Sequence, residues 1–244
     1  IMKVIDMHCD TIMAIYEGEK KNEKLELRQS DLNISVEKME KGDYLAQCFA
    51  MFVPLGNVEN AFETVNEMID VFYQELDKNS DKLALALNYE DIIENQKEGK
   101  MSAILTIEEG GTTKGNLHFL RNLYRLGVRM ITLTWNYENG IGFPNLMKSA
   151  DGTTDSTIPN TKDGLTKEGI ALVQEMERLG IIIDVSHLSD AGFYDVLKYT
   201  TKPFVASHSN ARGQCNHVRN MTDDMILKLA QRGGVMGINY AASF

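Results

Sequence analysis

Short apolar runs alternate with helix-patterned stretches along the whole chain, and this alternation constrains the fold more than any other feature. The seven runs are Val4-Ile5 leading into His8, Tyr44–Val53, Ser102–Ile107, Met130–Trp135, Ile181–His187, Pro203–His208 and Val235–Tyr240. Between them, apolar residues at helical spacing predict helices over Ser35–Gly42, Asn57–Ser80, Asn88–Lys97, Leu117–Leu126, Thr166–Leu179, Asp190–Tyr199 and Asp223–Arg232. Gly42, Gly127 and Gly180 close three of them, where a helix end favours Gly. Apolar strands joined by helices imply parallel pairing through right-handed crossovers. Glu17–Asn33 reads as a loop or frayed helix. Asn136–Asp163, rich in Gly, Asn, Thr, Asp and Ser, reads as a long functional or mobile loop.

Chemistry-bearing residues collect at the carboxyl ends of the runs: His8 and Asp10, Glu108, Trp135, His187 and His208. Active sites of (β/α)8 barrels sit there. Open doubly wound sheets also bind ligands at strand ends. A dinucleotide-binding sheet, however, needs a Gly-rich turn after its first strand, and His8-Cys9-Asp10-Thr11 is not one. The expected fold is therefore α/β, a TIM-type (β/α)8 barrel, with residues 1–244 as a single domain. Only seven strands precede Phe244, so the eighth is expected to be missing and the barrel to be C-terminally truncated.

In an extended strand, residues two apart point the same way, so His8 and Asp10 can reach one point. An imidazole and a carboxylate suit a borderline metal such as zinc. One H-x-D is a weak signal. Of the 5 histidines, however, three end apolar runs, and Asp10 and Glu108 fall on the same expected rim. One zinc takes three or four protein ligands, so five with a bridging carboxylate point to two ions roughly 3.5–4 Å apart. Such a pair activates a water and polarises a carbonyl, which is hydrolase chemistry. No G-x-S-x-G nucleophile motif competes with this reading. His118 and His217 read as structural, and Cys9 as turned away from the ligands into packing.

The net charge of −10 leaves no basic patch for nucleic acid and no basic amphipathic helix for a membrane surface. No apolar run reaches the roughly 18–20 residues that span a bilayer. Three cysteines without a C-x-x-C fit a reducing cytoplasm, and Lys3-Val4 runs straight into the first strand, which leaves no room for a signal peptide.

Asp6-Met7-His8-Cys9-Asp10-Thr11, Ile107-Glu108 before a Gly pair, Leu133-Thr134, Asp184-Val185-Ser186-His187 and Ser207-His208-Ser209 occur in that order. On these motifs the sequence resembles the renal (membrane) dipeptidase family of binuclear zinc peptidases, over nearly its whole length. The resemblance implies a (β/α)8 barrel holding two zinc ions per chain. His8 and Asp10 would bind one, His187 and His208 the other, and Glu108 would bridge them as the catalytic carboxylate. It implies hydrolysis of dipeptides by a zinc-bridged hydroxide, with Arg219 pairing with the substrate's terminal carboxylate and position 135 contacting the substrate.

Three departures stand out. Glu108-Glu109 offers two bridging candidates. Gapless pairing from Gly99-Lys100 to Leu133-Thr134 selects Glu108, and Glu109 would then point to the other side of an extended chain. Trp135 stands where mammalian members of the resembling pattern have a His, and Trp cannot accept a hydrogen bond. The family's Gly-Ser-Asp-Phe-Asp-Gly-type segment is absent. Two alternatives follow: another binuclear amidohydrolase-type enzyme on the same barrel, which would typically open with H-x-H, or a metal-binding form without turnover. The expected partner is a dipeptide, with no nucleic acid and no membrane, and a homodimer is admitted.

Overall fold

The computed structural model describes residues 2–149 and 152–244. The expected loop over residues 136–163 contains Ala150 and Asp151, which lie outside the described residues; its described part holds no helix or strand. Strands and helices alternate in the order β1 (Val4–Asp6), α1 (Thr11–Lys20), α2 (Val36–Lys41), β2 (Tyr44–Phe52), α3 (Ala61–Lys78), β3 (Leu83–Leu85), α4 (Tyr89–Lys97), β4 (Met101–Glu108), α5 (Leu117–Arg125), β5 (Met130–Thr132), α6 (Lys167–Leu179), β6 (Ile182–Asp184), α7 (Asp190–Tyr199), β7 (Val205–Ser209), α8 (Asp223–Gln231) and β8 (Val235–Ile238). Short 3₁₀ segments at Leu55–Asn57 and Gly110–Thr113 interrupt the series. The fold class is the expected TIM-type (β/α) barrel, built from parallel strands.

Side-chain caps start the helices where the sequence places them. Ser35, Asn60, Asn88, Thr166, Ser189 and Thr222 each accept a backbone N–H three residues on, which satisfies a donor that the helix leaves open. Gly180 ends α6 with φ 85°, a left-handed geometry that costs Gly little.

Two corrections to the expected elements have physical causes. Eight strands are described, but only seven of them, β1, β2, β4, β5, β6, β7 and β8, follow one another in the sheet, so the expected series of seven holds and one short strand is added beside it. The added strand is β3, which pairs in parallel with the start of β4, Leu83 with Met101 through Leu85 with Ala103. Three paired residues between two helices are too few to show a period. The second correction is α1, which starts at Thr11, ahead of the loop or frayed helix expected from Glu17, and overlaps that stretch only to Lys20. Its buried face is only Thr11, Ile12, Ile15, Tyr16 and Gly18, and the charges of Glu17, Glu19 and Lys20 hide the pattern.

The chain forms two compact units. The first comprises the chain up to Val53, Val58–Ile107 and Leu126–Arg129; the second comprises Pro54–Asn57, Glu108–Arg125 and Met130–Phe244. In the first unit, β1 pairs with β2, and α1 packs on β2 and α3. Its core includes Phe49 and Phe72, with ring centroids 5.9 Å apart, beside Val65 and Met68 of α3. In the second unit, β5, β6, β7 and β8 pair successively. Helix α6 packs on α5, α7 and β6, burying Leu172, Val173 and Met176, while Phe193 and Phe204 meet edge-on at 5.5 Å. Gly169, in the first turn of α6, lies so close to the loop after β5 that a Cβ there would fall 1.8 Å from the Ile141 carbonyl oxygen. Among the described residues no helix is long and apolar enough to cross a membrane.

Candidate functional site

In the first unit, β1 ends at Asp6, and His8 and Asp10 follow it in the turn into α1. Their convergence therefore comes from that turn and not from strand alternation. His8 Nε2 lies 3.2 Å from Asp10 Oδ1. Asp10 occupies the N-cap position of α1, yet its carboxylate makes no capping bond. Cys9 is buried, and burial pushes its thiol up to about 12.

In the second unit, Glu108, His187 and His208 come together. Glu108 is the last residue of β4 and is buried. His208 lies within β7. His187 sits three residues beyond β6, in a turn, with φ 69°. A left-handed backbone at a non-Gly residue costs energy and recurs at functional sites. Glu108 Oε1 is 3.1 Å from His187 Nε2 and 3.5 Å from His208 Nε2, and the two Nε2 atoms are 3.0 Å apart.

The partners behind the two rings set their tautomers. His187 Nδ1 lies 2.9 Å from Asn136 Oδ1, an oxygen that can only accept, so Nδ1 carries the proton and Nε2 a lone pair. Burial pushes His187 down to about 3, so this ring is neutral. His208 Nδ1 lies 2.7 Å from Ser207 Oγ, and that hydroxyl donates to Asp184 Oδ2 at 2.5 Å. The Ser207 oxygen is thus left to accept from His208 Nδ1, and in the neutral ring Nε2 is again a lone pair. A carboxylate oxygen and the His187 lone pair face one another, joined by a second imidazole lone pair whenever the His208 ring is neutral. They repel, and a cation where they meet relieves the repulsion. Two imidazoles and a carboxylate, with the far ring nitrogens held by the Asn136 amide oxygen and by the Ser207 hydroxyl in front of Asp184, are a zinc-type donor set, so the residues present fit the metal.

Asp184 is the hub behind His208. Its carboxylate accepts from Ser186 N at 3.0 Å, Ser207 N at 2.8 Å, Ser207 Oγ at 2.5 Å and Thr132 Oγ1 at 2.5 Å. Burial alone would raise this carboxyl. The neighbouring His208 and the bonds from Ser207 and Thr132 outweigh burial and hold it below the usual range.

Arg219 is 4% exposed. Its Nη2 donates to the His208 carbonyl at 3.0 Å, and its guanidinium stands 5.6 Å from the Phe244 ring centre. Its Nε is buried with no hydrogen-bond partner among the described residues. Burial lowers it to about 10, which leaves it charged at neutral pH. The loop that carries it is tied down by Arg212, which spans both Asp190 oxygens at 2.8 Å. Asn145 donates to Asp190 at 2.8 Å and to the Val218 carbonyl at 2.7 Å. His217 accepts from Arg219 N at 3.1 Å and stacks on Phe244 at 4.4 Å.

Trp135 stands beside His187 with ring centroids 6.2 Å apart and against Tyr137 at 5.1 Å. Glu109 does not follow the expected extended alternation. Its φ of 82° breaks the strand, and its side chain is buried among N–H donors. Burial pushes its carboxyl up to about 7. Asp184, Ser207, Asn136 and Glu109 had no assigned role from sequence. Only Asp184 left a signal there, as a charge ending the apolar run Ile181-Ile182-Ile183.

Residues 1–244 match the model of a family described as membrane dipeptidase, peptidase family M19. An uncharacterized protein in the pqqA 5′ region of Klebsiella pneumoniae is 32% identical over 183 residues, covering 72% of this chain and 65% of its own length. Dipeptidase verJ of Clonostachys rogersoniana is 33% identical over 174 residues, covering 71% of this chain and 42% of its own length. The chain thus spans less than two thirds of either relative. Among solved structures, a dipeptidase AC, a metallopeptidase of family M19, superposes with a TM-score of 0.88 at 25% identity, covering 100% of this chain and 73% of that one.

Proposed function

Because the chain belongs to the membrane dipeptidase family of metallopeptidases, M19, we propose that it hydrolyses dipeptides with two zinc ions. The observation that supports this best is the meeting of Glu108 Oε1 with the Nε2 atoms of His187 and His208, rings whose protons are held on the far side. In this reading His8 and Asp10 hold one ion, His187 and His208 the other, and Glu108 serves both. The whole chain acts as one barrel domain. Two zinc ions held by these residues would supply an activated water as nucleophile and Lewis-acid polarisation of the scissile carbonyl.

The remaining work falls to the side chains. Arg219 is buried, charged and has an Nε to spare, so it receives the substrate's terminal carboxylate, a role that suits a planar fork of donors. That contact would fix the register of the dipeptide, and so which carbonyl lies beside Glu108, His187 and His208. Trp135 has a donor and no acceptor, so it walls the site and does not move protons. The three cysteines are not joined in disulfides, which supports a cytoplasmic location.

The test is zinc reconstitution with elemental analysis, followed by a panel of dipeptides. Two zinc ions per chain and turnover of at least one dipeptide are expected, with both lost in Glu108→Gln. A folded chain that takes up no zinc, or that keeps its full stoichiometry after joint replacement of His187 and His208 by Ala, overturns the reading.

A further inference from the structure

Glu109 is a buried carboxylate that the proposed chemistry does not use. Its Oε1 accepts from Gly111 N at 2.9 Å and from Asn139 Nδ2, and its Oε2 accepts from Trp135 N at 3.0 Å. Asn139 also donates to the Leu133 carbonyl at 2.8 Å and accepts from Ile141 N at 3.1 Å and Gly142 N at 3.2 Å. One carboxylate therefore ties the turn after β4 to two points, Trp135 and Asn139, near the start of the loop that leaves β5. There is no slack in the arrangement. A Cβ at Gly111 would sit 2.6 Å from Asn139 Cβ and 2.8 Å from Glu109 Oε1. The residue after Trp135 is Asn136, whose Oδ1 fixes the His187 tautomer.

We propose that Glu109 is a positioning residue, holding Trp135 and Asn136 where Asn136 sets the proton of His187 and Trp135 walls its ring. The proposal deepens the zinc reading and rests on it only for its effect on the metal. Three N–H donors converge on Glu109. A carboxylate accepts all three, whereas a glutamine brings an amide nitrogen that would face one of them. Glu109 thus acts on the metal ligand through two intermediaries, as outer groups of metal sites commonly do.

The experiment is Glu109→Gln, read in three ways. The chain has 1 Trp, so its emission reports Trp135 alone. The variant should keep its far-UV dichroism, shift its Trp emission, and show His187 ring ¹⁵N signals of mixed tautomer where the wild type shows Nδ1–H. In chelator competition its zinc affinity should fall about 10–100-fold. Asn136→Ala should lose zinc affinity to the same degree, and the double variant should be no worse than either single one. Should Glu109→Gln fail to fold, Asn139→Ala removes one donor from the carboxylate and should shift Trp135 emission in the same direction. Unchanged emission and unchanged His187 tautomer in Glu109→Gln, or fully additive zinc losses, overturn the proposal. A wild type that binds no zinc sinks the zinc reading alone, since emission and tautomer still decide the role of Glu109 in the metal-free chain.

Discussion

Asp184→Asn separates the fold's use of this carboxylate from the site's use of it. Four donors converge on Asp184: the backbone N–H groups of Ser186 and Ser207 and the hydroxyls of Ser207 and Thr132. A hydrogen bond to a charged group contributes about 1.5–3 kcal/mol and a neutral one about 0.5–1.5, so four conversions weaken the hub by about 4–6 kcal/mol. Against this, the variant no longer buries an ion, which relieves several kcal/mol, so the net loss of stability should stay within about 2 kcal/mol. The effect on His208 is not offset in this way. The introduced amide would donate to Ser207 Oγ, the hydroxyl proton would turn to His208 Nδ1, and the ring proton would move to Nε2, facing Glu108 and His187. Zinc affinity should then fall about 10–100-fold, or about 1.4–2.8 kcal/mol. Urea unfolding of the metal-free chain reads the first quantity and chelator competition the second. The pH dependence has a definite sign. The folded Asp184 titrates below its usual value, so its contribution is present above about pH 4 and is lost as pH falls through the folded value. The variant should lack that part of the acid limb. Wild-type zinc affinity in Asp184→Asn, with His208 still protonated on Nδ1, would refute the relay.

Arg212→Ala should destabilise the chain by about 3–5 kcal/mol, because it strands the buried Asp190 carboxylate. Arg212→Lys should recover only part of this, since an ammonium cannot span both oxygens; equal urea midpoints for the two variants would contradict it. Gly169→Ala should lose stability despite the roughly 0.5–1 kcal/mol that Ala usually gains in a helix, because the new methyl meets the Ile141 carbonyl. A melting temperature at or above wild type would count against that packing. Arg219→Ala should raise KM for dipeptides and do little further harm with a C-terminally amidated substrate; fully additive losses across the four kcat/KM values would remove Arg219 from carboxylate binding.

How much was legible in the sequence follows from the range of the forces involved. Helix α7 runs over Asp190–Tyr199 as expected, because its cap and its apolar spacing are local. Glu108 and His208 sit on their strands because apolar runs locate strand ends. His187 was identified, but not its turn, since nothing in Val185-Ser186-His187 announces a left-handed residue. The groups behind the rings were out of reach for another reason. Asp184 meets Ser207 23 residues on, and Glu109 meets Trp135 26 residues on. Such pairings leave no period in a sequence. The bias of Glu109 toward the opposite face held only while the chain was taken as extended, and φ 82° removes that premise.

The clamp formed by Asn145, Asp190, Arg212 and Val218 bears on the order in which the chain folds. Asn145 reaches Asp190 across 45 residues and Val218 across 73, and Arg212 reaches Asp190 across 22. Contacts of such separation return nothing until both partners have been brought together, so they form late. Helices α6 and α7 complete their own hydrogen bonds beforehand. The segment carrying Arg219 should therefore be among the last parts of the second unit to acquire protection from hydrogen exchange during refolding. Newly made chains would pass through a state with most helices formed and no grip on a substrate carboxylate, so recovery of helical signal should precede recovery of activity.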